Sequence, residues 1–235
     1  MKKYLIPLVV LVILGGVFSM AYALSQPPTQ KTLAAALENM RMYRFTREVE
    51  FKQYRVYVVS DGNSKSIQRD FMYTGRMVTT GTVNLTKGTV REYEEFYING
   101  SLVMKAEAVF DLNTGWVSGT VTLTNGTSMD IAWFWKNHYG ISQDQAVEML
   151  KENLPTLMLR DVALNSRNFQ VLESSFSLTD RILMGLGIKE KLFEYRFTAS
   201  EGREWRVFVN SQGVPVKFEY TGQDAHMVVY ITPVG

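Results

Sequence analysis

The sequence predicts a mainly β protein with added helices (α+β class), built on an antiparallel sheet of about eleven strands. Three observations support this. Apolar residues alternate with period two through most of the chain, and glycine-bearing turns separate the alternating segments at short intervals. Two stretches have helical periodicity instead. Because so many twisted strands do not stay flat, we expect a curved sheet or half-barrel whose concave side is covered by an N-terminal helix and a two-helix insertion.

The N-terminal segment has the features of an export signal or a membrane anchor. Lys2 and Lys3 precede an apolar run from Tyr4 to Leu24, and Ala-Tyr-Ala at 21–23 matches a signal-peptide cleavage site. As a helix, the apolar run is about 31 Å long, enough to span a bilayer. Residues 1–24 are therefore predicted to be a cleaved signal peptide or an uncleaved anchor. Both alternatives place the rest of the chain outside the cytoplasm.

A short linker joins this segment to a single domain. Residues 25–31 read SQPPTQK, whose prolines favour an extended chain. The domain is predicted to span 32–235 and to begin with an amphipathic helix capped by Thr32. Apolar residues with helical spacing in this segment are Leu33, Ala36, Leu37 and Met40.

From Phe45 the period changes to two. The segment FTREVEFKQYRVYVV is predicted to be one long strand, and its apolar phase slips at Lys52-Gln53, which indicates a β-bulge. Gly75 is interpreted as a break between the next two strands. The strands predicted after the first are 65–74, 77–86, 89–98, 101–110, 116–124 and 127–135. Short turns between them predict an antiparallel meander.

Two nine-residue stretches are nearly identical. GTVNLTKGT at 81–89 and GTVTLTNGT at 119–127 share seven positions, but their flanks do not align. We interpret them as two hairpins that meet the same turn requirement, rather than as a duplicated module. Three Asn-x-Ser/Thr sequons lie at predicted turns and are either N-glycosylation sites or turn residues. These are Asn84, Asn99 and Asn125.

The meander is interrupted before the last strands. Ser142 and Gln145 form a predicted capping box ahead of AVEMLKENL, and Pro155 ends or kinks that helix. A second helix is predicted in LTDRILMGLG, at 178–187. The closing strands are predicted at 191–199, 203–210, 214–221 and 225–232, with Trp205, Val207 and Val209 on one face.

This order of elements resembles the lipoprotein-carrier fold of LolA and LolB, which the lipid-binding lipoproteins LppX and LprG share. Two stretches carry the local resemblance: EEFYINGSLVMKAEAVFDLNTGW at 94–116, and FEYRFTASEGREWRVFVNSQGVPVKFEYTG at 193–222. The resemblance implies a half-barrel fold and carriage of a lipid or a lipidated protein. The chain departs from the lipid-anchored members because it has no cysteine, so that any anchoring must come from residues 4–24.

Composition excludes several classes of function. Hydrophobic residues make up 46% of the 235 and charged residues 20%, with a net charge of +2, so that neither a disordered chain nor a nucleic-acid-binding protein is expected. The absence of cysteine excludes disulfides, thiol catalysis and thiolate metal sites. His138 and His226 have no partner at metal-ligand spacing. We therefore expect no metal, no cofactor and no enzymatic activity.

Two motifs can be interpreted as functional sites, but a structural interpretation is favoured for each. Glu92 and Glu94 share a strand face, as the paired carboxylates of a glycosidase would. We interpret them, with Glu95, as a solvated strand face. The aromatic run Trp-Phe-Trp at 133–135 suits sugar stacking, but on a strand its alternation favours core packing.

The sequence favours non-enzymatic binding of a hydrophobic small molecule, a lipid or a lipidated protein, in a cavity between sheet and helices. Flexible methionines near the helices suit varied acyl chains, although ordinary core filling explains them too. The residues predicted to contact the ligand are Leu33, Leu37, Met40, Val147, Leu150, Leu154, Met158 and Met184. The alternative is a cell-surface interaction or sensor-like domain with a filled core, whose partner is another envelope protein.

Overall fold

The computed structural model describes residues 29–61, 64–165, 170–172, 193–198, 204–210 and 212–234. The predicted signal or anchor at 1–24 and the predicted helix at 178–187, which includes Met184, lie outside these ranges. None of the helices within them is long and apolar enough to cross a membrane.

Eleven strands and four helices occupy the described residues. The helices are α1 (Gln30–Asn39), α2 (Ile131–Tyr139), α3 (Gln143–Asn153) and α4 (Pro155–Asn165). The first six strands are β1 (Met42–Asp61), β2 (Ser64–Asn84), β3 (Thr89–Ile98), β4 (Ser101–Asp111), β5 (Trp116–Leu123) and β6 (Ser128–Asp130). The last five are β7 (Gln170–Leu172), β8 (Phe193–Thr198), β9 (Glu204–Val209), β10 (Pro215–Thr221) and β11 (Ala225–Pro233).

All eleven strands form one antiparallel sheet in the order β6-β5-β4-β3-β2-β1-β11-β10-β9-β8-β7. The two meanders are joined where β1 pairs with β11, from Tyr43 opposite Pro233 to Phe51 opposite Ala225. The sheet is curved and unclosed, with β6 and β7 at its edges. The predicted fold class is therefore confirmed, and so is the half-barrel architecture implied by the resemblance.

The centre of the sheet is a long hairpin. The register between β1 and β2 shifts between Gln53 and Tyr54, next to the predicted bulge, but the extra residue is Met72 of β2 and not a residue of β1. The predicted break at Gly75 is wrong, because β2 runs unbroken through it. The ring of Phe51 lies across Gly75, and a Cβ there would come within 2.3 Å of its Cζ atom. Gly75 thus makes room for a cross-strand aromatic ring and does not mark a turn.

Turn chemistry explains the three sequons. The Asn84 side chain accepts a hydrogen bond from the Lys87 amide, Asn99 accepts one from the Thr74 amide, and Asn125 accepts one from the Thr127 amide. The Asn99 backbone has φ of 47°, as hairpin turns with two left-handed residues require. The two near-identical stretches do form the β2–β3 and β5–β6 turns. Glycosylation at these asparagines stays a prediction.

Helix α1 begins earlier than predicted. Its N-cap is Thr29, not Thr32, because the Thr29 side chain accepts a hydrogen bond from the Thr32 amide. The capping box of Ser142 and Gln145 is confirmed at the start of α3. Pro155 separates α3 from α4, since it begins the new helix where its missing N–H costs nothing.

The predicted strand at 127–135 is wrong beyond its fourth residue, Asp130. β6 ends at Asp130, whose side chain caps α2 by accepting a hydrogen bond from the Trp133 amide at 2.8 Å. Gly140, with φ of 69°, ends the same helix. An aspartate before the aromatic run and a glycine after it are helix-boundary signals, but the β propensity of the aromatic residues hid them.

The core lies between the inner face of the sheet and the helices. Here the inner face means the side that the helices cover, and the outer face is the other side. Tyr43, Val83, Val90, Phe110 and Val117 form one buried row across β1 to β5. Trp205, Val207 and Val209 are buried on one face of β9, as the alternation predicted.

One buried hydrogen bond ties the helices to this core. The Thr156 hydroxyl, in the first turn of α4, donates to the Tyr43 hydroxyl at 3.1 Å. Burial raises the pKa of Tyr43 to about 12. Helix α4 also packs against α1 and α3, so these three helices are linked to β1, whereas α2 packs against β4, β5 and β6.

Candidate functional site

A cavity of about 400 Å³ lies between the inner face of the sheet and helices α2 and α3. Strands β1 to β4 and β11 form its floor. The floor residues are Arg47, Val49, Met77, Glu92, Phe110 and Met227. The residues on the helical side are Trp135, Ile141, Ala146, Met149, Leu150 and Asn153. Its size lies within the range of small-molecule pockets, toward the lower end.

The walls are apolar and include flexible side chains. Trp135 stacks on Phe110 with ring centroids 5.8 Å apart and closes one side. Met149 is 51% exposed although it lines the cavity, so it stands at a solvent-facing margin. Met77 and Met227 lie opposite it on the sheet. Walls of this kind adapt to apolar ligands of different shape.

The floor contains a group of polar side chains that we call the floor cluster: Arg47, Thr79, Glu92 and Glu94. The register places Arg47 of β1 opposite Thr79 of β2, and Thr79 opposite Glu94 of β3. Arg47 donates to the Thr79 hydroxyl at 3.5 Å, and that threonine is fully buried. Glu92 lies two residues before Glu94, on the same face of β3. The cluster therefore joins three adjacent strands beneath the helices.

The surroundings of the cluster disfavour ionised carboxylates. Burial raises the pKa of Glu92 to about 7, against the opposing effect of the Arg47 guanidinium, and the charge of Glu94 raises it further. Burial also raises the pKa of Glu94, while Arg47 and a hydrogen bond from Thr79 counteract it. One guanidinium thus serves two carboxyl groups, and Glu92 changes protonation near neutral pH.

Arg47 is incompletely paired within the described part of the chain. Its Nε atom is buried and has no hydrogen-bond partner there. A buried donor of this kind costs free energy unless an acceptor reaches it. Because Arg47 lines the cavity, an acceptor carried by a bound molecule can reach the guanidinium.

Small residues flank Glu92 in its cross-strand row. Gly81 and Ala108 lie directly opposite it on β2 and β4, and Gly119 follows on β5. Gly119 has φ of 149°, and a Cβ there would lie 1.9 Å from the Glu107 carbonyl oxygen. The two glycines open the two near-identical stretches of the sequence. Their shared role is close packing in one row of the inner face.

The predicted ligand-contact residues fall into four groups. Leu150 lines the cavity, and Met158 is half-buried against the core. Met184 lies outside the described residues. The others are buried in the hydrophobic core beneath or between the helices: Leu33, Leu37, Met40, Val147 and Leu154.

The interpretation of the glutamates as a solvated face is wrong for Glu92 and Glu94. Both lie on the inner face, and only Glu95 lies on the outer one. The alternation contained a usable signal, because Glu92 and Glu94 share parity with the buried Val90. Arg47 was not predicted as a site residue, although alternation contained the same signal for it. It shares parity with Tyr43 and Phe45, which are buried on the inner face.

The aromatic run also has a different arrangement from the one expected on a strand. Phe134 is buried, Trp135 lines the cavity and Trp133 is 52% exposed. The predicted core packing is found for Phe134, whereas Trp135 forms part of the cavity wall. Helical geometry separates neighbouring side chains by about 100°, which explains three different environments in three residues.

Two other depressions lie on the sheet itself. One, of about 480 Å³, lies beside Phe51 and the turn at Gly222. The other, of about 610 Å³, follows outer-face side chains of β1 to β5, among them Arg44 and Thr120. Neither has a helix residue among those that line it. The cavity beneath α2 and α3 is therefore the better candidate for a binding site.

Comparisons with known proteins find similarity to solved structures at low identity. No protein-family model matches the chain, and no curated protein matches it. A beta-barrel-like protein of the domain of unknown function DUF1849 from Brucella abortus is 10% identical, over 82% of this chain and 96% of that one, with a TM-score of 0.28. A DUF1329 family protein from Desulfovibrio piger is 8% identical over 90% of each chain, with a TM-score of 0.26.

Proposed function

We propose that this protein binds a hydrophobic ligand, a lipid or the acyl chain of a lipidated protein, without chemical conversion. The observation that carries the proposal is the 400 Å³ cavity between the inner face and helices α2 and α3. Its walls offer methionine, leucine, valine and aromatic side chains. Each acyl methylene transferred from water to such walls contributes about 0.8 kcal/mol.

The volume favours one acyl chain over several. A pocket of this size lies well below the roughly 1,000 Å³ upper end for small-molecule sites. The chain of the ligand would lie along Val49, Met77 and Met227, with α3 above it. Helix α3 acts as the cover, because its neighbouring residues Met149 and Leu150 both line the cavity.

We place this activity outside the cytoplasm. The export or anchor features of residues 1–24 support that location, and an uncleaved segment at 4–24 would hold the domain at the membrane. A carrier or receptor for a membrane-derived ligand is well placed there.

A photoreactive uncharged lipid tests the proposal. The full chain, in nanodiscs, is exposed to a sixteen-carbon alcohol that bears a diazirine near its end, and labelled residues are located by mass spectrometry. We expect label on residues that line the cavity, such as Trp135 and Met149. Labelling that is spread over the surface, or absent, would contradict the proposal.

Two exposed methionines provide matched variants. Met149→Asp places a charge at the cavity margin, whereas Met72→Asp places one on the β1–β2 hairpin at similar exposure, 47% against 51%. We expect Met149→Asp to reduce cavity labelling at least tenfold, because the carboxylate must be desolvated when the chain enters. Met72→Asp should leave labelling unchanged.

A second function, as a protein-interaction domain, is favoured by one observation. Beyond Phe51 and Gly75 the β1–β2 hairpin extends past its neighbours β11 and β3, and it exposes large apolar side chains. These are Val56, Tyr57, Ile67, Phe71 and Met72. Exposed apolar clusters of this kind mark contact surfaces for proteins. This function replaces the first if the wild-type chain takes up no apolar probe.

A further inference from the structure

The floor cluster is unusual for a cavity whose walls are otherwise apolar. A cavity that binds only hydrocarbon gains nothing from a guanidinium and two carboxyl groups, since their burial carries a desolvation cost. Arg47 and Glu92 both line the cavity. Their position at its floor, rather than at its solvent-facing margin, points to a polar group of the ligand that reaches that depth.

The geometry defines what this polar group must supply. The buried Nε atom of Arg47 lacks an acceptor in the described part of the chain. The guanidinium donates one long hydrogen bond to Thr79, at 3.5 Å, and its charge is shared between Glu92 and Glu94. Guanidinium groups form their strongest hydrogen bonds with the paired oxygens of carboxylates and phosphates. The ligand group is therefore one that accepts hydrogen bonds.

The charge balance of the floor cluster narrows the choice of the ligand's polar group. With both glutamates ionised, the cluster has one cation and two anions. If Glu92 takes up a proton from solvent, one anionic position becomes vacant beside Arg47. A carboxylate from the ligand can then occupy it without changing the net charge of the cluster.

We propose, on the basis of the proposed function, that the floor cluster recognises the carboxyl group of a single-chain fatty acid. The ligand carboxylate accepts from the Arg47 guanidinium, and Glu92 holds a proton while the ligand is bound. The cavity volume of about 400 Å³ favours such a single chain over a two-chain lipid with a phosphate headgroup.

Protonation of Glu92 makes this binding dependent on pH. The groups that face Glu92 are Tyr43 and Arg47 from β1 and Glu94 from its own strand. Helix α3 contributes the uncharged Asn153 and apolar side chains to the cavity. Since the pKa of Glu92 is about 7, its protonated fraction falls about tenfold between pH 6 and pH 8. Affinity for the acid should fall by the same factor.

The test compares photoreactive sixteen-carbon acid, alcohol and amine probes on the full chain in nanodiscs. For the wild type we expect half-maximal cavity labelling by the acid at about tenfold lower concentration at pH 6 than at pH 8. Labelling by the alcohol should not change with pH. An amine that labels the cavity more readily than the acid would overturn the proposal.

Variants separate headgroup recognition from stability. Arg47→Met should raise the half-maximal acid concentration at least tenfold and the alcohol concentration less than twofold. Arg44→Met, on the same strand but the outer face, is the control and should behave as wild type. Equal acid labelling by Arg47→Met and wild type overturns the proposal, provided that circular dichroism shows an intact fold.

Glu92→Gln keeps the test decisive if Arg47→Met does not fold. Glutamine mimics the protonated carboxyl, so the variant should bind the acid at pH 8 as well as the wild type does at pH 6. An unchanged pH dependence in Glu92→Gln would overturn the role of Glu92. If no probe, including the alcohol, labels the cavity, the proposed function itself fails. If the alcohol labels the cavity but acid labelling depends neither on pH nor on Arg47, the proposed function holds and recognition of the carboxyl group fails.

Discussion

Glu94 and Glu95 are neighbours on β3, and their side chains lie on opposite faces of the same sheet. The two side chains are both half-buried, yet their pKa values are shifted in opposite directions. On the inner face, burial beneath the helices raises the pKa of Glu94. On the outer face, hydrogen bonds from Tyr97, Lys105 and Tyr93 lower the pKa of Glu95 to about 2.

The outer site is fully paired where the inner one is not. The Tyr93 and Tyr97 hydroxyls donate to the Glu95 carboxylate at 2.9 Å and 2.6 Å, and Lys105, its cross-strand partner, lies 2.9 Å away. Three donors for one carboxylate stabilise its charged form. Inside, Glu92 and Glu94 share Arg47.

This difference separates a structural ion cluster from a candidate binding site. The outer carboxylate has its partners within the sheet and stays ionised over the whole physiological range. The inner carboxyls lack enough cationic partners and keep a protonation state that a ligand can shift. Perturbed carboxyls that face a cavity mark functional sites more often than perturbed carboxyls on an open surface.

Removing the cation on each face should produce the largest contrast. At pH 8, Arg47→Met leaves two half-buried carboxyls without a counterion, so we expect a loss of about 3 kcal/mol of unfolding free energy. At pH 5 the loss should shrink, because the carboxyls hold protons. Lys105→Met should change stability little at either pH, since its site is open to solvent. Urea unfolding of the three proteins measures this. Equal losses on both faces would break the contrast.

Neutralising one glutamate on each face should change stability in opposite directions. The pKa of Glu92 is above its unfolded value of 4.5, so its contribution is fully present below pH 4.5 and is lost as the pH rises through about 7. Glu92→Gln escapes that loss, and we expect it to be more stable than wild type by about 2 kcal/mol at pH 8 and equal at pH 4.

The outer glutamate has the reverse sign. The pKa of Glu95 is depressed, so its contribution is present above pH 4.5 and is lost as the pH falls through about 2. Glu95→Gln should therefore lower the melting temperature at pH 7 and match the wild type near pH 2. Thermal unfolding across pH checks both variants. A Glu92→Gln protein that is less stable at pH 8 would show instead that the ionised carboxylate stabilises the fold through Arg47.

The smallest expected contrast concerns two tyrosine hydroxyls. Tyr43→Phe removes the acceptor of the buried Thr156 hydroxyl and should cost about 1 kcal/mol. Tyr97→Phe removes one of three donors to Glu95, and solvent can replace it, so we expect almost no change. Thr156→Val in the Tyr43→Phe background should restore part of the loss, because no buried donor is then left unpaired. Failure to restore it would show that the hydroxyl pair does not hold α4 to the sheet.

Local patterns along the chain were sufficient for most of the architecture. Alternation and turn residues predicted an antiparallel sheet and most of its strands, although two predicted strands are one in β2 and the short β7 was not predicted. The slip in the apolar phase marked the position of the register shift at Gln53, but not that the extra residue lies on β2. The capping box at Ser142 was readable because helix boundaries depend on side chains three residues apart. Gly75 and the aromatic run at 133–135 were misassigned, since a cross-strand ring decided the first and an aspartate cap decided the second.

The candidate site depended on contacts that no local pattern contains. Alternation places Glu92 and Glu94 on the same face as the apolar Val90, but it does not say that helices cover this face. That is decided by packing between segments far apart in the chain, such as Tyr43 with Thr156, and it places Arg47 and Glu92 under α3. A carboxyl group takes its pKa from the atoms around it, so only the tertiary structure separates the candidate ligand site from the solvated strand face that the sequence predicted.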